Sequence, residues 1–308
     1  MKVAFAGTPE FAATVLRGLL SSDHEVGLVV SQPDSRRGRG RKTTPTPVAQ
    51  LARNLGLSVR QPARISEVAP EISEHDALVV AAYGQILRPD ALYAARLGAW
   101  NVHASLLPKY RGAAPVERAI MNGEQETGVT IMLMDEGLDT GPIALQRAVE
   151  ITPEMTGGEL AELLARLGAE AVVEVLFSLA SGTVRLTEQN SLEASYAPKL
   201  SDRDLVIVWG REAREVRDLI RALAPHVGAR TFHPSVEGPI KVWRARVFEE
   251  GDPPSCLGAG RIRATDGRLL VGCGAGVLEV LDLQVPGSKR LAARDFLRGN
   301  MLDGAFVS

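Results

Sequence analysis

Cysteine is almost missing from the 308 residues: only Cys256 and Cys273 occur, with no Cys-x-x-Cys spacing and no histidine beside either in sequence. A disulfide framework, a structural zinc and a dithiol redox pair are therefore not indicated, and two buried or half-buried thiols are expected. Aromatic residues make up 5% of the chain, too few for a broad platform on which single-stranded nucleic acid stacks. The formal charge is only −2, so no global field draws the protein to nucleic acid or anionic lipid. No apolar run approaches the roughly 18 residues of a membrane-crossing helix. The N-terminus turns polar at Thr8, without the apolar core of a signal peptide. A cytoplasmic protein with no membrane partner is the expectation. No internal repeat or low-complexity tract is present.

What remains is ordinary for a globular chain, with 45% hydrophobic and 23% charged residues. At about 150 residues per domain, the length suggests two domains. Charge is distributed unevenly between them. Residues 1–204 carry 20 Lys and Arg against 25 Asp and Glu, and residues 205–308 carry 15 against 12. Short apolar runs at 2–6, 25–30, 77–82, 99–104, 129–134 and 143–151 alternate with helical patterns. That alternation predicts an α/β domain with a mostly parallel sheet covered on both faces. Thr156 and Glu159 have capping-box spacing and open a helix with Leu160, Leu163, Leu164 and Leu167 on its apolar face. Residues 1–186 read as this domain, and the polar stretch 187–204 as a linker. In 205–308, a helix with Val216, Leu219, Ile220 and Leu223 precedes β-like runs at 229–233, 239–248, 259–264, 268–272 and 277–284, and a tail helix is expected over 291–297. One early helix with five short strands predicts a smaller C-terminal OB-like β-barrel.

The first strand turns into its helix through Gly7-Thr-Pro-Glu-Phe11. This lacks the Gly-x-Gly-x-x-Gly fingerprint, and Glu10 would repel a pyrophosphate, so a nicotinamide or flavin site is not expected. The informative strand is 99–104. Alternate strand residues share a face, which puts Asn101 and His103 on one side, about 7 Å apart. They stand at the C-terminal end of an apolar run, where open α/β sheets place their sites. An amide N–H can donate to a developing oxyanion, and an imidazole can move a proton near neutral pH.

The chain continues Ser105-Leu-Leu-Pro-Lys-Tyr-Arg-Gly-Ala-Ala-Pro115 and later Met134-Asp-Glu-Gly-Leu-Asp-Thr-Gly-Pro142. Together with Asn-x-His, these two ordered stretches resemble the folate-dependent formyltransferases. The resemblance implies a Rossmann-like N-terminal domain, with Asn101, His103 and Asp139 as the catalytic trio. It also implies 10-formyltetrahydrofolate as formyl donor and no metal. Ser105, Leu106, Leu107 and Pro108 would contact the folate. Tyr83, Gly84, Gln85, Ile86 and Leu87 resemble the stretch whose backbone meets the pterin.

Members of this family formylate glycinamide ribonucleotide, amino sugars or methionyl-tRNA. Three stretches resemble the members acting on methionyl-tRNA: Phe5-Ala-Gly-Thr-Pro-Glu-Phe11, the segment 31–47, and Tyr196-Ala-Pro-Lys-Leu200. Initiator methionyl-tRNA is the implied acceptor and translation initiation the implied process; an amino-sugar nucleotide is the alternative. Residues 36–42 hold five cations, Arg36, Arg37, Arg39, Arg41 and Lys42. No predicted helix or strand absorbs them, so this loop is expected to contact acceptor-stem phosphates. The OB-like domain would hold the tRNA backbone, and Phe11 would line the methionine pocket. Residues 224–229 lack the aromatics that the resemblance leads one to expect there. A monomer is expected.

Overall fold

The computed structural model describes residues 1–37, 42–249, 257–300 and 302–307. Two compact units are present. The first comprises Met1–Pro115, Glu126–Glu150 and Ala161–Pro198; the second comprises Val116–Gln125, Ile151–Leu160 and Lys199–Ser308.

Along the chain the first elements are β1 (Lys2–Gly7), α1 (Glu10–Leu20), β2 (Glu25–Val30), β3 (Ser35–Arg37), β4 (Lys42–Thr44), α2 (Pro47–Asn54) and β5 (Val59–Arg60). Then come the one-turn helices α3 (Ala69–Ile72) and α4 (Pro89–Leu92) around β6 (Ala77–Ala81), followed by β7 (Ala99–His103), α5 (Pro115–Met121), β8 (Glu126–Leu133), β9 (Ile143–Glu150) and the long α6 (Gly157–Ala180).

Seven strands of the first unit form one sheet in the order β5-β2-β1-β6-β7-β8-β9. Pairing is parallel from β5 through β7 and antiparallel for β7–β8 and β8–β9. Every residue of β6, Ala-Leu-Val-Val-Ala, is buried, as a strand covered on both faces requires. The chain runs outward from β1 to β5, then returns to β6 on the other side. The C-terminal ends of β1, β6 and β7 therefore flank the point where strand order reverses. Two glycines let α6 seat closely: a Cβ on Gly168 would lie 2.6 Å from Val102 Cγ1 of β7, and one on Gly18 of α1 would lie 2.5 Å from Ala169 Cβ.

Two sequence expectations change here. The basic segment is not wholly loop, because Ser35, Arg36 and Arg37 pair antiparallel with Thr44, Thr43 and Lys42; β-branched threonines favour that extended backbone. Arg39 and Arg41 lie outside the described residues, as does Cys256. The polar stretch from 187 is irregular yet firmly held: Thr187 bridges Ile143, and Tyr196 bridges Arg111.

The second unit adds α7 (Ala213–Leu223), β10 (Ala229–His233), β11 (Val236–Val247), β12 (Ile262–Thr265), β13 (Arg268–Gly272), β14 (Val277–Gln284), β15 (Leu291–Ala292) and α8 (Ala293–Leu297). Its antiparallel sheet runs β10-β11-β14-β13-β12, with β15 also on β14. Asp266 and Gly267 both take positive φ in the two-residue β12–β13 turn, which matches the strands' twist. The two edges of this sheet are capped by the chain's end: Phe232 bridges Val307, and Arg261 bridges Ala305. Such closure removes exposed strand edges. Ile207, Val216, Ile220, Ile240, Val242, Leu269, Val271, Leu278 and Phe296 fill the core. The expected capping box forms at α6, where Thr156 N donates to Glu159 Oε2 at 2.9 Å and Glu159 N to Thr156 Oγ1 at 3.3 Å.

Candidate active site

β7 delivers Asn101 and His103 to one face of the sheet's C-terminal edge, held between β6 and β8. The loop after β8 returns Asp139 to them. Asn101 Nδ2 donates to Asp139 Oδ1 at 3.2 Å, Gly112 N donates to Asp139 Oδ2 at 2.8 Å, and His103 Nδ1 faces that same Oδ2 at 3.7 Å. The three predicted residues thus meet in one cluster. His103 is only 5% exposed. Its Nε2 lies 2.9 Å from the Tyr110 carbonyl, which can only accept, so Nε2 carries a proton and Nδ1 is the nitrogen turned to Asp139.

The loops around this cluster are strained. Ala82, Tyr110 and Asp139 hold φ of 42°, 60° and 53°, a region non-glycine residues avoid at a cost of about 1 kcal/mol or more each. Such conformations persist only where neighbours over-determine them. For the Asp139 loop, Asp135 Oδ1 accepts from Gly137 N at 3.0 Å and from Thr140 Oγ1 at 2.7 Å. For the loop after β7, Thr130 Oγ1 donates to Ser105 O at 2.7 Å and accepts from Leu107 N at 3.1 Å. Gln146 Nε2 then donates to Leu107 O at 2.8 Å.

The family model described as Formyl transferase matches residues 1–176, and that described as Formyl transferase, C-terminal domain, matches residues 199–301. The chain belongs to the formyl transferase family. This formyl transferase is 69% identical over 305 residues to the methionyl-tRNA formyltransferase of Rubrobacter xylanophilus, covering 99% of each chain. It is 44% identical over 320 residues to that of Pelotomaculum thermopropionicum, covering 100% of this chain and 98% of the other. Among solved structures, the N-formyltransferase of Helicobacter canadensis in complex with folinic acid and dTDP-3-aminofucose has a TM-score of 0.67 at 20% identity, covering 91% of this chain and 98% of that one. HypX of Aquifex aeolicus with tetrahydrofolic acid has a TM-score of 0.67 at 17% identity, covering 99% of this chain and 50% of that one. At those identities the likeness concerns the fold.

The formyl transferase distributes the remaining expected site residues unevenly. Ser105 is fully buried, and its hydroxyl donates to Lys109 O at 2.7 Å, while Leu107 is also buried. Leu106 and Pro108 are half-exposed. Beyond β6 the Tyr83 and Leu87 side chains enter the core with Ile65 and Val68, whereas Ile86 is 89% exposed. The Tyr83 carbonyl accepts from Thr8 Oγ1 at 2.8 Å and Gln32 Nε2 at 2.9 Å. Gln85 bonds Ile65 N and Ala63 O, and Gly84 has a φ of 84°. Phe11 is half-buried in the first turn of α1.

Sequence reasoning missed the groups that hold the trio in place: Tyr110, through its carbonyl, Gly112, through its amide, and the buried Arg111 with Gln189. Only the first three had a visible signal, since they lie in the loop directly after the motif. No described helix is long and apolar enough to cross a membrane, and no group of three or more His, Cys, Asp or Glu among the described residues is placed to hold a metal ion.

Proposed function

We infer that this formyl transferase moves the formyl group of 10-formyltetrahydrofolate onto the amino group of methionine carried by initiator methionyl-tRNA, in support of translation initiation. The observation that carries the reading is the 69% identity across 99% of both chains to a protein named for that reaction. An amino-sugar nucleotide as acceptor is the alternative reading, with weaker support from solved structures at 20% identity or less.

The donor supplies an activated one-carbon unit on N10 of the folate. The residues present suit that chemistry. Asn101 uses one amide N–H on Asp139, and the other has no partner among the described residues. That second N–H donates to the formyl oxygen as amine attack builds negative charge on it, a contribution of about 3–4 kcal/mol for one such donor. His103 moves a proton at Nδ1, because Nε2 is committed to the Tyr110 carbonyl. Asp139 is the counter-charge facing Nδ1 and keeps the ring and the Asn101 amide in register. It also relays the proton the amine loses, through water, to N10 of the folate, which departs as tetrahydrofolate when the bond between N10 and the formyl carbon breaks.

We assign folate contact to Tyr83, Gly84, Gln85, Ile86, Leu87 and residues 105–108, the methionine pocket to Phe11, and tRNA phosphate contact to Arg36, Arg37, Arg39, Arg41 and Lys42. Residues 1–186 carry the transfer chemistry, and residues 205–308, net basic, hold tRNA backbone. The enzyme works as a monomer in the cytoplasm, a state that light scattering on the purified protein checks. The deciding assay offers 10-formyltetrahydrofolate with initiator methionyl-tRNA, uncharged tRNA, free methionine and amino-sugar nucleotides. Transfer to the charged tRNA alone is the expected result, and transfer to a sugar nucleotide instead would overturn the acceptor. His103→Ala and Asp139→Asn should each lower turnover by orders of magnitude with tRNA affinity retained; near-normal turnover in both would sink the trio.

A further inference from the structure

Asp139 is held from two sides. Its carboxylate is fixed by Asn101 and Gly112, and its main-chain carbonyl accepts from Gln189 Nε2 at 2.9 Å. The same Nε2 donates to Gly141 O at 2.7 Å. Gln189 Oε1 accepts a fork from Arg111, Nε at 3.1 Å and Nη2 at 2.8 Å. The orientation of this amide is unambiguous, because both carbonyls can only accept and a guanidinium can only donate. The side chain therefore spends both N–H groups on the Asp139 loop and its oxygen on the loop after β7.

Arg111 is in turn bonded on both its main chain and its side chain. It is 3% exposed, and its main chain is laced to the 195–197 segment, with Arg111 N donating to Ser195 O at 2.8 Å and Ala197 N to Arg111 O at 2.7 Å. Tyr110 N donates to Ser195 Oγ at 2.9 Å. The neighbouring Gly112, whose φ is 119°, is pressed so close to this segment that a Cβ would lie 2.8 Å from Ala197 O. The residues that present a carbonyl to His103 and an N–H to Asp139 are thus braced from outside by residues 189–197.

Resting on the transfer reaction above, we propose that Gln189 is a positioning residue for it: by joining Arg111 to the main chain at Asp139 and Gly141, it sets the Asp139 carboxylate against His103 and Asn101. It touches neither substrate. It holds a left-handed aspartate in a conformation the backbone alone disfavours, and misplacement by about 1 Å in such a site costs about a hundredfold in rate.

The test uses Gln189→Met, which keeps the side chain's length and removes its bonds to Arg111, Asp139 and Gly141, and Gln189→Glu, which keeps the Arg111 fork and loses the amide donors. For both we expect kcat to fall about tenfold to a hundredfold, with KM for each substrate nearly unchanged. Gln189→Met, which strips the buried Arg111 guanidinium of its acceptor, should also lower the unfolding temperature, and Gln189→Glu, which keeps that acceptor, should lower it less. Exchange of the Gly112 amide, read by NMR on the protein alone, should quicken by about tenfold or more as its Asp139 acceptor moves. Wild-type kcat and Gly112 exchange in either variant would overturn the proposal. A wild-type enzyme inactive on methionyl-tRNA, but whose Gly112 exchange still responds to Gln189, would refute the acceptor and leave the positioning role standing.

Discussion

Asn101 and Asp139, 38 positions apart, share a hydrogen bond of 3.2 Å in which the amide can only donate and the carboxylate only accept. One amide thereby orients the carboxylate and aims its remaining N–H away from it. Asn101→Ala removes both effects. Turnover should drop about 10²–10³-fold, as for loss of other oxyanion donors, while tRNA binding measured by filter retention stays within about twofold. Asn101→Asp should be at least as damaging, since it sets two carboxylates at hydrogen-bond distance. An Asn101→Ala enzyme with normal kcat would remove this residue from the chemistry.

Tyr83 sits near the site for its backbone, not its ring. The carbonyl is bonded to Thr8 and Gln32, but the hydroxyl is buried with no partner among the described residues. Burial pushes its ionisation up to about 12. Leaving a hydroxyl unsatisfied costs about 1 kcal/mol or more. Tyr83→Phe should therefore fold as stably as wild type or up to about 1 kcal/mol better, with kcat and folate KM unchanged. A destabilised variant in urea melts would show that the hydroxyl has a use.

Why some of this could be read from sequence and some could not comes down to what each contact is made of. Asn101 and His103 are legible because strand periodicity alone puts them on one face, at the sheet edge where chemistry collects. Asp139 joins them across a long chain separation, and only the resemblance of its loop to a known family named it beforehand. Gln189 had no signal. Its acceptors are main-chain carbonyls, which every residue possesses, and it lies in a polar stretch without periodicity. The two-residue edge strand β5, the β3–β4 pairing and the barrel-closing bridges at residues 305 and 307 escaped for a related reason: they are too short for an alternating pattern to register.

Within the second unit, the Arg118 guanidinium at 2.8 Å and the N–H and O–H of Ser201 hold the Asp204 carboxyl well below its usual range. A depressed carboxylate contributes stability in full above its unfolded value of about 4 and loses it as pH falls toward the folded value. Asp204→Asn should then be less stable than wild type at pH 7 by about 1 kcal/mol, the pair being partly solvated. The gap should narrow progressively below about pH 4. Thermal melts of both proteins from pH 7 to 3 test this; a gap independent of pH would assign the loss to packing instead of charge.

The five cations at residues 36–42 are a local excess in a chain whose formal charge is −2, so any electrostatic hold on tRNA must be local. Neutralising Arg36, Arg37, Arg39, Arg41 and Lys42 to Gln should raise KM for methionyl-tRNA and leave folate KM alone. The decisive quantity is the dependence of tRNA affinity on salt. Each phosphate contact releases counterions, and the log–log slope should flatten by about 0.7–0.9 for every contact removed. A weakened variant with an unflattened slope would mean that the substitutions disturbed the β3–β4 pairing instead of removing phosphate contacts. An unaltered affinity would move tRNA recognition to other parts of the chain.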